Sequence, residues 1–217
     1  MITTALSNGS DLSLYSTSTT TTMDPIMTSG AYPATVLIAT FSLLISILIT
    51  PPMLWHLRNR NLGATSLILW VLVLTAQMFL NAVIWPNDDT ASWVDGNVLC
   101  DIEVKIQIAS YVGFPASAAS VFRALARVMD TERASLGLTK EQRRRGYAVD
   151  ILWCAGFPAL QMLFHYFVQA KRYFIFGISG CAPTAETSWL MDLLLTTPPV
   201  IWTIVCTYYA GKLHPIP

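Results

Sequence analysis

Charged residues are scarce in this sequence: lysine, arginine, aspartate and glutamate make up 12% of its 217 residues, whereas 53% are hydrophobic. A soluble domain carries about 25% charged residues and could not keep this much apolar surface out of water. The apolar runs are continuous over about 20 residues, which favours membrane helices over the alternating strands of a barrel. The sequence therefore predicts an all-α, polytopic bundle of transmembrane helices.

Motifs for catalysis, metal binding and nucleic-acid binding are missing as well. The sequence has no Gly-rich phosphate loop and no Gly-x-Ser-x-Gly, and its three histidines and four cysteines lack metal-ligand spacing. Asp150 and Asp192 fall at opposite ends of their predicted spans, which excludes a paired-aspartate intramembrane protease. The only basic cluster lies against a span. We expect no enzyme activity, no metal, no cofactor and no nucleic-acid partner.

Composition divides the chain into a tail, a bundle and a short end. Residues 1–32 are rich in serine and threonine and contain no lysine or arginine, which predicts an extracellular disordered tail. Asn8 begins an N-glycosylation sequon there, usable only if this end is outside the cell. Residues 33–210 form the predicted bundle, and residues 211–217 a short cytoplasmic end. The predicted spans are residues 34–55, 64–85, 100–128, 147–168 and 189–209.

Basic residues predict the orientation of the bundle. Ten of the 13 lysines and arginines fall on one side of the predicted spans and three on the other. Since basic loops stay in the cytoplasm, the N-terminus is predicted outside and the C-terminus inside. The ten are Arg58, Arg60, Arg123, Arg127, Arg133, Lys140, Arg143, Arg144, Arg145 and Lys212. The run from Arg143 to Arg145 is placed in a loop over residues 129–146, where it could bind either anionic lipid or a partner protein.

This orientation places two cysteines, Cys100 and Cys181, on the oxidising outer side. A disulfide persists in that compartment, and such a bond would hold the long outer loop over the bundle. Two free thiols are the alternative.

Polar residues collect at the outer ends of spans three to five. Ionisable groups inside a membrane are costly and usually face a cavity or a partner. The predicted depth of these polar residues in the membrane favours a ligand pocket there. Its candidate residues are Asp101, Lys105, Gln107, His165 and Gln169. The alternative is that Asp101 and Lys105, four residues apart, pair with each other. In span two, Gln77 and Asn81 share one face and are predicted to point into the bundle.

Several segments together resemble the fungal mating-pheromone receptors of the a-factor receptor type, which are class D G-protein-coupled receptors. The segments are WHLRNRN at 55–61, NAVIW at 81–85, CDIEVKIQI at 100–108, LTKEQRRRGYAVDILWCAGFPALQM at 138–162, and HYFVQAKRYFI followed by Gly180 and Cys181. The resemblance runs from about residue 51 to residue 209, in order. It implies a seven-helix receptor in the plasma membrane that binds a farnesylated peptide pheromone in an outer cavity and activates a heterotrimeric G protein.

The resemblance also assigns residues to these roles. Cys100 and Cys181 match the outer cysteines of the family. The residues that match the inner loops and inner helix ends, and would face the G protein, are Arg58, Arg60, Arg123, Arg127, Arg143, Arg144 and Arg145.

The sequence departs from that family in having five predicted spans of an expected seven. We expect a truncated form that does not signal alone, or one that acts by pairing with a full-length receptor as a dimer. A five-span transporter or membrane scaffold is the alternative function. The inverted repeats typical of transporters are not apparent, since the only repeat is GFPA at 113–116 and 156–159.

Overall fold

The computed structural model describes residues 32–87, 89–90, 93–129 and 139–213. Its first two helices are α1 (Pro33–Arg58) and α2 (Leu62–Ile84). Pro33 is tolerated in the first turn of α1, where its missing N–H would be unsatisfied in any residue. The turn between the helices is short because Arg60 adopts a left-handed backbone (φ 56°). The Asn61 side chain then caps α2 by accepting the N–H of Ala64 at 3.2 Å.

Helix α3 (Asn97–Met129) packs against both α2 and the helices that follow it. Small residues allow the close approach of α2, as is common between membrane helices. Ser117 Oγ donates to Ser66 Oγ at 2.9 Å. At Gly113 an added Cβ would lie 2.3 Å from the Trp70 indole, so glycine is required there. The centre of the described bundle is therefore α3.

The fourth rod of the bundle consists of α4 (Lys140–Ile151), a π-helical turn (Leu152–Gly156) and α5 (Phe157–Val168). Proline at 158 has no N–H and its ring would clash with the carbonyl four residues earlier in a regular helix. The chain widens into the π-turn directly before it, where Phe157 N–H donates to Leu152 O. The second GFPA segment thus marks a local irregularity of the helix.

The fifth rod repeats this arrangement with α6 (Trp189–Met191), a second π-turn (Asp192–Thr196) and α7 (Thr197–Gly211). Its π-turn again precedes proline, at Pro198 and Pro199. Trp202 of α7 inserts between Trp153 and Phe157, with ring centroids 5.0 and 4.9 Å apart. These aromatic contacts join the fourth and fifth rods next to a buried cluster of Val112, Ala116 and Ala119 on α3.

Between the fourth and fifth rods, an antiparallel hairpin of β1 (Phe174–Phe176) and β2 (Gly180–Ala182) lies against the ends of α2 and α3. Cys100 and Cys181 are bonded in the structure and pack with Trp85 and Val104 in a buried cluster. We call this the disulfide end of the bundle; α4 begins at the opposite end.

Large apolar side chains cover the outside of the described helices. Phe41, Leu48 and Ile204 are 60–63% exposed, whereas Gln161 and His165 are at most 1% exposed. Four helical segments are long and apolar enough to cross a bilayer: Pro33–Arg58, Leu62–Ile84, Lys140–Val168 and Trp189–Gly211. Helix α3 is long enough, but the polar residues that it contributes to the interior lower its hydropathy. The chain is a multi-pass helical membrane protein.

Candidate functional site

A partly buried polar network at the disulfide end is centred on Lys105. Its Nζ lies 3.0 Å from His165 Nδ1 and donates to Gln169 Oε1 at 2.9 Å. On its other side the His165 ring faces the carbonyl oxygen of Thr184, 3.2 Å from Nε2. A carbonyl only accepts, so Nε2 carries the ring proton and Nδ1 accepts from lysine. The Lys105 ammonium group is thus bound by two neutral side chains, His165 of α5 and Gln169 directly after it, and His165 is in turn bound by the segment after the hairpin.

Two further predicted ligand residues lie at this end but bind other partners. Gln107 Nε2 donates to the carbonyl oxygen of Cys181 at 2.9 Å, linking α3 to the hairpin. Asp101 accepts from the Arg172 guanidinium at 2.5 Å. Asp101 is thus hydrogen-bonded to Arg172, while the Lys105 ammonium turns toward His165, so the two residues of the alternative pair have other hydrogen-bond partners. Of the five candidates, the structure places Lys105, His165 and Gln169 in one network, with Gln107 and Asp101 beside the hairpin.

The prediction that span two turns its amides inward is confirmed. Gln77 is 6% exposed and Asn81 is 2% exposed. Asn81 Nδ2 donates to Ser179 O at 3.1 Å, and Gly180 packs directly on the same amide, with room only for glycine. Span two therefore also holds the hairpin in place.

Arg123 lies inside the bundle near the opposite end. Its guanidinium donates to Asp150 Oδ1 and lies 4.5 Å from the centre of the Trp153 ring. Ser120 Oγ donates to the same carboxylate oxygen at 2.5 Å. Sequence reasoning placed Arg123 toward a partner protein and missed Asp150 as its partner. The available signal was the presence of opposite charges near the same ends of spans three and four.

The remaining predicted arginines at this end are exposed. Arg58 ends α1, Arg60 lies in the following turn, and Arg127 lies in the last turn of α3. The placement of Arg143 to Arg145 in a loop is wrong, because α4 already begins at Lys140. A capping box between Thr139 and Gln142 starts that helix and could have been found in the sequence.

A shallow groove at the start of α4 contains two of the predicted residues. Arg143 and Arg144 line it with Lys140 and Tyr147, and its volume is about 390 Å³. Arg145 bonds to Glu141 at 2.7 Å on the exposed face of the same helix. This end can therefore offer a basic surface to an anionic partner.

Some sequence predictions lie outside the described residues, among them the Asn8 sequon and Arg133. Within residues 32–87, 89–90, 93–129 and 139–213, no three His, Cys, Asp or Glu side chains are grouped to hold a metal ion.

The bundle and its basic end are the features of a multi-pass helical membrane protein. Residues 37–214 match the Pheromone A receptor family, and the chain belongs to that family. This is a family of receptors rather than a class of enzymes, and the match favours a receptor over the transporter or scaffold alternative.

Three similar proteins carry the names of fungal pheromone receptors. The pheromone a factor receptor of Saccharomyces cerevisiae is 29% identical over 77% of this chain and 35% of its own length. Pheromone receptor 1 of Mycosarcoma maydis is 26% identical over 79% of this chain and 46% of its own length. The pheromone M-factor receptor of Schizosaccharomyces pombe is 24% identical over 81% of this chain and 46% of its own length. The chain thus spans less than half the length of these relatives. No solved structure matches it.

Proposed function

We propose that this chain is the membrane domain, or part of it, of a plasma-membrane receptor for a farnesylated peptide pheromone. Its disulfide end faces the outside of the cell, and its α4 end faces the cytoplasm and a heterotrimeric G protein. Family membership and the ten basic residues on one side of the spans support this orientation. The Cys100–Cys181 bond supports it as well, because disulfides persist outside the cytosol.

The observation that carries the ligand site is the Lys105 network. A lysine within a membrane helix is costly, and Lys105 is bonded to His165 and Gln169, neither of which is an acid. Lysine has three N–H donors, so one remains for a ligand oxygen. A peptide that bonds to Lys105 would contact a network built from α3, α5 and the segment after the hairpin. We propose that the peptide binds here, between these elements, and that its farnesyl group enters from the lipid side.

The proposed G-protein surface is the exposed basic set at the other end. Arg143 and Arg144 line a groove, and neither forms an ion pair among the described residues. Free guanidinium groups recognise carboxylates through two parallel hydrogen bonds. Arg123 is excluded from this surface as long as it binds Asp150 inside the bundle.

Binding of a fluorescent farnesylated peptide to membranes that contain this chain tests the ligand site. Lys105→Met should weaken binding at least tenfold, because it removes the cation and its donors while keeping the volume. Lys171→Met is the matched control, since Lys171 lies at the same end but is exposed. Equal binding by both variants and the parent chain would contradict the site.

G-protein coupling is tested separately from binding. In a receptor that carries this chain together with helices six and seven, replacement of Arg143, Arg144 and Arg145 by alanine should leave peptide affinity unchanged and reduce peptide-stimulated nucleotide exchange on the G protein. Undiminished nucleotide exchange in this variant would show that the basic cluster serves only to orient the chain in the membrane.

A further inference from the structure

Four side-chain oxygens near the disulfide end are buried and accept no hydrogen bond. They are Gln77 Oε1, Asn81 Oδ1, and Oε1 and Oε2 of Glu103. The three residues are 6%, 2% and 1% exposed. Buried polar atoms in folded proteins nearly always have a partner, so each of these oxygens requires an explanation. Two of the four acceptors belong to one carboxyl group, whose charge a positive partner would neutralise.

The contacts of the two amides leave only their oxygens for such a partner. Gln77 Nε2 donates to the backbone carbonyl of Glu103 at 3.3 Å, and Asn81 Nδ2 donates to Ser179 O at 3.1 Å. Gln77 and Asn81 are one helical turn apart on α2. The Asn81 amide lies within hydrogen-bonding reach of the Glu103 carboxyl group, although no well-aligned bond joins the two side chains. The oxygens without a hydrogen-bond partner therefore belong to neighbouring side chains between α2 and α3.

No basic side chain neutralises Glu103 among the described residues. The ion pairs there join Arg123 to Asp150, Arg145 to Glu141 and Arg172 to Asp101. Lys105 follows two positions later, about 200° around the helix, and bonds to the fourth rod instead. An unpaired carboxylate in the interior is strongly unfavourable.

The missing partner must be small, because Glu103 is only 1% exposed and a further side chain or helix could not reach it. We propose that Glu103, Gln77 and Asn81 bind a sodium ion in the interior of the bundle. Hard cations prefer carboxylate and amide oxygens. One carboxylate balances one positive charge, whereas a divalent ion would leave an excess charge in a medium of low dielectric constant. Through Asn81 the ion would also hold the hairpin that covers this end.

The experiment uses the purified chain in phosphatidylcholine nanodiscs, with thermal unfolding followed by tryptophan fluorescence. Sodium chloride is exchanged stepwise for choline chloride at constant ionic strength, so that only the identity of the cation changes. We expect Tm to rise by several degrees with sodium and to saturate, since a ligand bound only by the folded state stabilises that state. The same Tm in sodium and in choline would overturn the proposal in favour of a protonated carboxyl group or a buried water.

Variants assign the effect to the site. Glu103→Gln keeps the side-chain shape, removes the charge, and should abolish the dependence of Tm on sodium. Asp192→Asn is the matched control, because Asp192 is exposed on the fifth rod, and it should retain that dependence. A sodium dependence that survives Glu103→Gln would overturn the site.

If Glu103→Gln does not fold, Gln77→Met keeps the test decisive. This variant leaves the carboxylate in place and removes one ligand oxygen. The sodium concentration that gives the half-maximal rise in Tm should increase at least tenfold. An unchanged midpoint would overturn the proposal.

Discussion

Replacing Asp150 with alanine would leave the Arg123 guanidinium without its carboxylate inside the bundle. The side chains of Arg123 and Asp150 are only 12% and 20% exposed, so water replaces the lost partner poorly. Removing one member of a buried ion pair costs about 3–5 kcal/mol, because the other charge stays buried. We expect Asp150→Ala and Arg123→Ala each to lower the free energy of unfolding by an amount in this range.

The double variant separates the pair from the other contacts of each residue. Once one charge is gone, removing the second relieves an unpaired charge, so the double loss should be smaller than the sum by about 2 kcal/mol. Unfolding in mixed micelles with increasing sodium dodecyl sulfate, followed by tryptophan fluorescence, measures the free energy of unfolding of each variant.

An exposed ion pair at the same end of the bundle provides the control. Arg145 and Glu141 bond at 2.7 Å on α4, but their side chains are 78% and 72% exposed. Their coupling free energy should be about 0.3–0.5 kcal/mol, since water and salt screen the attraction. If Arg123 and Asp150 are coupled no more strongly than this pair, the inference that burial makes the Arg123 contact strong is refuted.

Two further predictions concern the packing of α3. Loss of the disulfide should lower the free energy of unfolding by about 4 kcal/mol for a loop of this length, and by the same amount in Cys100→Ser, Cys181→Ser and the double variant. Additive losses would show that the cysteines act independently. Gly113→Ala should cost about 1–3 kcal/mol, because its Cβ would overlap the Trp70 ring, whereas Gly211→Ala meets nothing within 4 Å and should cost far less. Equal losses for the two glycine variants, measured in the same unfolding assay, would contradict the close approach of α2 and α3.

The helices could be predicted from the sequence because each depends on a local feature. A run of about 20 apolar residues marks a membrane helix wherever it packs. The inward position of Gln77 and Asn81 also follows locally, since residues four apart share a helix face and amides avoid lipid.

The site's pairings could not be predicted in this way. Asp101 meets Arg172 across 71 residues, and this contact depends on how the hairpin folds over α3. The same holds for Arg123, whose partner lies on the next rod. The helical start at Lys140 is different, because the capping box between Thr139 and Gln142 was visible in the sequence and a loop was predicted nevertheless.

Photo-crosslinking most directly tests the claim that the disulfide end binds the pheromone. A farnesylated peptide that carries a photoreactive group is bound to membranes containing this chain and irradiated, and the labelled residues are identified by mass spectrometry. The account predicts labels on α3 between residues 101 and 107, and on residues 165–184, with competition by unlabelled peptide. Competed labels confined to the start of α4 and the last turn of α3 would contradict it.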